Sequence, residues 1–116
     1  MFFNVNVKYY EKYLINRGFN ILYRNYFRGV GELDIVAEKD NLLTFIEVKS
    51  VSYGTFVKKT IRPEDHVTHE KLLNIYNTAE LFLKEYNLEG CNCRVDLITI
   101  IFKKDKIVSL KHFTGI

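Results

Sequence analysis

The sequence predicts an α/β fold: a single domain over residues 1–116, built as a mixed central β-sheet flanked by helices in the order α-β-β-β-α-β-β. Three observations predict it. Two stretches, 3–17 and 68–86, place their apolar residues at helical spacing. Five others alternate, or run apolar, over lengths that suit strands. The composition is 47% hydrophobic and 15% aromatic, which is that of a packed core rather than a disordered chain. No internal repeat, low-complexity tract or linker divides the chain, so one domain accounts for it.

The first helix places Phe3, Val7, Tyr10 and Leu14 on one face, a stripe that reads as core. Asn4 suits its N-cap and Gly18 its C-cap. From Phe19 to Phe27 the chain alternates, with Phe19, Ile21 and Tyr23 facing one way and Asn20, Leu22 and Arg24 the other. Arg28-Gly29-Val30-Gly31 then turns the chain into a second strand, Gly31 to Ala37. There Leu33, Ile35 and Ala37 form the face opposite Glu32 and Asp34. Glu38-Lys39-Asp40-Asn41 suits a hairpin turn. The third strand, Leu42 to Ser50, puts Leu43, Phe45, Glu47 and Lys49 on one face and Ile46 and Val48 on the other. Both faces are largely apolar, as in a central strand covered by helices.

Val51 to His66 reads as an irregular basic loop, with Tyr53 and Phe56 among Lys58, Lys59 and Arg62, and with Pro63, the single proline. Aromatic rings among cations suit stacking on unpaired bases and contact with phosphates. A surface loop with its aromatics tucked into the core is the plainer account. Thr68 to Tyr86 is the strongest helix, with Leu72, Ile75, Ala79, Phe82 and Tyr86 in one stripe, Thr68 as N-cap and Glu70 in the first turn. Lys71 begins this helix and suits phosphate contact. Arg94 to Phe102 is a nearly continuous apolar run, a strand buried on both faces. Asp96 inside it is expected to pair, with Arg94 or a helix lysine. Lys103 to Lys106 is a charged turn, and Ile107 to Phe113 alternates as a last edge strand.

The net charge of +3 permits a polyanionic partner without demanding one. No apolar run approaches the ~20 residues of a membrane helix. Met1-Phe2-Phe3 lacks the basic start of a secretory signal, so a cytoplasmic protein is expected. Cys91 and Cys93 are too close for an easy disulfide and read as free, small, buried thiols. With His66 and His69 they would make four nitrogen and sulfur ligands, but Cys-x-Cys is a poor zinc spacing.

The chemistry concentrates in Gly31-Glu32-Leu33-Asp34-Ile35-Val36-Ala37 and Phe45-Ile46-Glu47-Val48-Lys49. If these strands pair, Asp34, Glu47 and Lys49 meet on one face, near Glu32. Grouped acids on an apolar sheet are costly unless something neutralises them. A divalent cation does so, and Mg²⁺ favours carboxylate oxygens, backbone carbonyls and water. A neighbouring lysine orients or deprotonates the water, or stabilises charge in the transition state. The plainer account is a Lys49 ion pair with Asp34 or Glu47 at a solvated sheet edge. Arg24 and Arg28 lie close in sequence and are read either as phosphate contacts or as solvated charge.

An acidic strand Asp followed by Glu-x-Lys on the next strand resembles the PD-(D/E)XK nuclease superfamily, which has the restriction-endonuclease-like fold. More closely, the two central motifs resemble the YraN family, small bacterial proteins related to Holliday-junction resolvases. Arg17-Gly18-Phe19-Asn20-Ile21-Leu22, Asn25, Pro63, Val67, Lys71 and Arg94-Val95-Asp96 extend the resemblance over most of the chain. It implies metal ligation by Asp34, Glu47 and the Val48 carbonyl, Lys49 at the attacking water, and Glu32 as an accessory acid. It implies Mg²⁺ or Mn²⁺ as cofactor, DNA as partner, hydrolysis that leaves a 5′ phosphate, and a homodimer for symmetrical cutting. The chain departs from the pattern in two places. Leu33 stands where the superfamily has Pro. The acid that similar proteins carry early in the first helix falls near Val7, with Glu11 one turn later. Besides a nuclease, two further readings stand open: a non-catalytic nucleic-acid-binding module, and a protein-interaction domain whose acidic strands form an ion-pair network.

Overall fold

The computed structural model describes residues 2–29, 31–55 and 67–116, with side chains from Tyr9 onward. Its elements are α1 (Phe2–Asn16), β1 (Asn20–Phe27), β2 (Glu32–Lys39), β3 (Leu42–Ser52), α2 (His69–Glu85), β4 (Cys93–Lys103) and β5 (Lys106–Phe113). The order and class are those the sequence predicts.

Local chemistry sets the boundaries. Gly18 takes φ +93° after α1. Gly18 N–H donates to Ile15 O at 3.0 Å and Phe19 N–H to Leu14 O at 3.0 Å, so the last carbonyls of the helix are satisfied. Asp40 and Asn41, at φ 53° and 62°, make the two-residue turn between β2 and β3. The Thr68 side chain accepts from Lys71 N–H at 3.1 Å and caps α2. α1 begins at Phe2, so Asn4 lies inside the helix rather than at its cap.

The five strands lie in the order β1-β2-β3-β4-β5. β1, β2 and β3 form an antiparallel meander. α2 then carries the chain across to β4, which runs parallel to β3 from Leu43↔Cys93 to Ser52↔Phe102. β5 returns antiparallel. β3 therefore extends past Ser50: Val51 and Ser52 pair with β4, and residues 53–55 are helical. The rest of the expected basic loop, with Phe56, Lys58, Lys59, Arg62, Pro63 and His66, lies outside the described residues.

Two cores sandwich the sheet. On the α2 side, Ile75, Ala79 and Phe82 pack on Tyr26, Leu33, Val36, Leu43, Phe45 and Val95. On the α1 side, Tyr10 and Leu14 pack on Phe19, Ile35, Ala37, Ile46, Ile98 and Ile100. Tyr86, expected in the α2 stripe, is 41% exposed at the helix C-cap.

The strand alternation slips in β1 and in β2, and the β4–β5 register also shifts, with Ile101 opposite Ser109 but Phe102 opposite Ile107. In β1 the register shifts between Ile21 and Tyr23, which pair with the adjacent residues Ala37 and Val36. Leu22 is the extra residue, so Ile21 faces the α1 core and Tyr23 the α2 core rather than sharing one side. In β2, Leu33 packs on the α2 side while Ile35 and Ala37 pack on the α1 side. The break falls at Asp34.

A candidate active site where the β2–β3 ladder opens

The β2–β3 ladder ends at Ile35↔Ile46. Extended by one pair, the register sets Asp34 opposite Glu47. There the backbone pairing gives way to a side chain: Val48 N–H donates to Asp34 Oδ2 at 2.7 Å. In a strand the carbonyl and N–H of one residue point to the same edge. The Val48 carbonyl thus faces the same opening as Asp34.

A cavity of about 540 Å³ occupies this opening, lined by Glu32, Asp34, Glu47, Val48, Lys49 and Lys71, with Gly31 and Asn74 at its side. Gly31 is required by the packing. A Cβ there would collide with Thr78 Oγ1, which itself donates to Asn74 O at 2.8 Å. The absence of a side chain at Gly31 lets α2 approach β2 and brings Lys71 over the strands.

Glu47 is 5% exposed, on the same face as Leu43 and Phe45, as the alternation of β3 predicts. Lys71 Nζ lies 2.7 Å from Glu47 Oε2, and Lys49 Nζ lies 3.5 Å from the same oxygen. Burial, then the charge of Glu47 and a hydrogen bond shared with it, push Asp34 up to about 7, against the pull of the Val48 N–H. Burial and the neighbouring Lys71 lower Lys49 from the usual lysine range. Burial is the largest influence on Lys71 and works against its charge, but the hydrogen bonds to Glu47 and Lys49 and the charges of Glu47 and Asp34 together outweigh it and raise Lys71.

The sequence-predicted residues divide into three groups. Asp34, Glu47, Lys49, Val48, Glu32 and Lys71 come together around the cavity. Arg24 and Arg28 are engaged elsewhere. Arg24 donates to Glu11 through Nε and Nη2, each at 2.8 Å, and Arg28 donates to Glu85 at 3.1 and 3.0 Å. Glu11, the acid nearest the expected helix position, is thus spent on Arg24. Lys58, Lys59 and Arg62 lie outside the described residues, as does the side chain of Val7. Tyr53 carries Lys103 Nζ 5.0 Å from its ring centroid.

Tyr10 packs in the α1-side core, as its stripe predicts, yet the charge of Asp34 reaches its hydroxyl. Burial and then the charge of Asp34 raise its hydroxyl to about 12. Its helical stripe gave no signal of this, because a hydroxyl on an apolar face is compatible with either role. The direct Lys71–Glu47 contact was also missed, since it joins α2 to β3 through space. Among the described residues, no three His, Cys, Asp or Glu side chains cluster as a metal site. Cys91 and Cys93 are free but exposed rather than buried, because the chain enters β4 at the protein surface. No helix among the described residues is long and apolar enough to cross a membrane.

Comparison with known proteins agrees with the central motifs. A family model described as "Uncharacterised protein family UPF0102" matches residues 8–100. A UPF0102 protein of Sulfurihydrogenibium sp. (strain YO3AOP1) is 36% identical, over 87% of this chain and 83% of its own length. One of Campylobacter fetus subsp. fetus (strain 82-40) is 36% identical, over 88% of this chain and 85% of its own length. One of Lachnoclostridium phytofermentans is 38% identical, over 83% and 79%. With the match running from the middle of α1 through the acidic strands and α2 into most of β4, the chain belongs to the UPF0102 (YraN) family.

Proposed function

We propose that this protein is a metal-dependent nuclease of the PD-(D/E)XK type, hydrolysing DNA phosphodiester bonds in branched or single-stranded structures. One observation carries the reading. Asp34 and Glu47 share one cavity, where burial and then the charge of Glu47 push Asp34 up to about 7, with two lysines beside them. A protein has little reason to hold like charges at such a cost unless the site uses them.

The donor set fits a hard cation. Asp34, Glu47 and the Val48 carbonyl are oxygen ligands, as Mg²⁺ or Mn²⁺ requires. Two carboxylates suffice, because Mg²⁺ commonly completes its shell with water and substrate phosphate. When bound, such an ion lowers the pKa of a water and neutralises charge on a phosphoryl oxygen. The chain supplies the rest. The Val48 N–H fixes the Asp34 carboxylate. Lys49, lowered by burial and held near Glu47, takes or steadies the proton of the attacking water. Water attacks phosphorus in line with the leaving 3′ oxygen and leaves a 5′ phosphate. Glu32 at the cavity rim is an accessory acid, and Lys71 is a phosphate contact.

The modest net charge of +3 suits local grip on a branched or single-stranded target better than long tracking along duplex. A homodimer would cut two strands symmetrically. Exposed apolar groups on α2 (Leu73, Tyr76 and Leu81) and on edge strand β1 (Leu22 and Phe27) support such pairing. A second reading rests on the 2.7 Å Lys71–Glu47 contact: the acids are neutralised internally, and the chain binds nucleic acid or protein without catalysis.

Cleavage of a labelled panel of duplex, single-stranded, flap and four-way-junction DNA in Mn²⁺ separates the readings. A nuclease cuts, and Glu47→Ala lowers the rate by about 10³-fold or more. Binding without cutting by both proteins favours the non-catalytic module. Neither binding nor cutting excludes both nucleic-acid readings and leaves the protein-interaction domain.

A further inference from the structure

Lys71 and Lys49 reach the same oxygen of Glu47, but they are not equivalent. Lys49 stands on β3, two residues from Glu47, and is tied to the strand. Lys71 stands on α2, and its side chain is 37% exposed while that of Glu47 is 5% exposed. Lys71 therefore has the freer path to solvent, and Glu47 meets it only through the cavity. The closer contact is also the one from α2: 2.7 Å for Lys71 against 3.5 Å for Lys49. A carboxylate this enclosed is not left without a counter-charge. Lys71 supplies it, on an oxygen that a bound metal would take.

Resting on the nuclease reading above, we propose that Lys71 is the resting-state counter-ion of Glu47. A backbone phosphate of the nucleic acid draws Lys71 away as the metal enters, so metal and nucleic acid bind cooperatively. Without nucleic acid, the metal must displace an ammonium group from a buried carboxylate and leave it without an anion. With nucleic acid present, Lys71 exchanges one oxyanion for another, and the displacement costs less. By linkage, the metal then tightens nucleic-acid binding by the same factor. The site is thereby kept poor in metal until a substrate phosphate is in place.

The test measures Mn²⁺ affinity from the electron paramagnetic resonance signal of the free ion. The full chain is titrated with and without a single-stranded DNA oligonucleotide carrying phosphorothioate linkages. In the native protein the oligonucleotide should tighten Mn²⁺ by about tenfold. Lys71→Met should bind Mn²⁺ about five- to tenfold more tightly than native protein without any oligonucleotide, and gain less than about twofold when it is added. Lys71→Gln, which keeps a polar side chain, should behave as Lys71→Met. Mn²⁺ binding by Lys71→Met no tighter than native would overturn the proposal and leave the metal site standing. An equal gain in Lys49→Met would overturn it as well, by reducing the effect to general charge. Absence of Mn²⁺ binding in the native protein and both Lys71 variants would instead remove the metal reading, and this proposal with it.

Discussion

Two acidic clusters lie within one residue of each other in the sheet, and they are built on opposite terms. Asp96 of β4 pairs with Ile46, the residue before Glu47. Asp96 is 0% exposed and Glu47 5%, so depth alone does not separate them. Their partners do. Arg94 donates to Asp96 through Nε at 2.7 Å and Nη2 at 2.9 Å, Gly115 N–H donates at 3.1 Å, and His112 Nε2 lies 2.8 Å away. Burial pushes Asp96 upward, but His112, Arg94 and Gly115 together hold it below the usual carboxylate range. His112 Nδ1 in turn meets the Tyr13 hydroxyl at 3.0 Å, so one carboxylate ties β4, β5 and α1 together. Asp34 has one backbone N–H and a neighbouring carboxylate, and it is raised instead. A buried acid with a full set of donors is a structural clamp. A buried acid crowded by its own kind is held at a cost, and function is what offsets such a cost.

The largest expected effect breaks the clamp. Asp96→Ala strands Arg94 and His112 without their anion and should cost about 3–5 kcal/mol of stability at pH 7, read by urea denaturation. The pH dependence has a definite sign. The folded-state pKa of Asp96 is lowered, so its contribution is present above the unfolded value near 4 and is lost as pH falls through the folded value. The difference between native protein and Asp96→Ala should therefore shrink in acid. A variant as stable as native at pH 7 would erase the distinction between the two clusters.

Asp34→Asn should do the opposite. A pKa raised to about 7 means that folding favours the protonated acid. That contribution is full below about pH 4 and is lost as pH rises through about 7. Asn keeps an acceptor for Val48 N–H and offers Glu47 a donor. The variant should match native protein near pH 4 and exceed it by on the order of 1–3 kcal/mol at pH 8. On the nuclease reading proposed above, it should also lose metal-dependent cleavage. Thermal denaturation across this range reads the first effect. A destabilised Asp34→Asn at pH 8 would place Asp34 with Asp96, among the structural acids.

The sequence carried one of these clusters more fully than the other. For Asp96, Arg94 two residues away was one of the two kinds of partner expected, and it pairs through two hydrogen bonds. His112 and Tyr13 joined it only through the fold. For the cleft, the alternation of β3 placed Glu47 and Lys49 on the Phe45 face, and Asp40-Asn41 gave the turn that brings Asp34 opposite Glu47. Strict alternation failed at Asp34, where Leu33 and Ile35 go to opposite cores. A switch of face leaves no mark in hydrophobic pattern, because both neighbours are apolar and both are buried. Lys71 was legible as a cation at a helix start, but not as the partner of Glu47. That contact depends on how closely α2 approaches, which Gly31 permits and no periodicity reports.

The smallest effect tests how far the clamp reaches. Tyr13→Phe removes the hydroxyl from His112 Nδ1 and keeps the ring, which packs edge-on to the imidazole at 5.6 Å. The loss should be about 1 kcal/mol, the net value of one hydrogen bond. In the background of Asp96→Ala, where His112 is already released, it should fall toward zero. Double-mutant denaturation measures this coupling directly. A Tyr13→Phe cost that is unchanged by Asp96→Ala would mean that the hydroxyl and the carboxylate act separately. The clamp would then end at His112, and α1 would be held to the sheet by its apolar stripe and the Glu11–Arg24 pair.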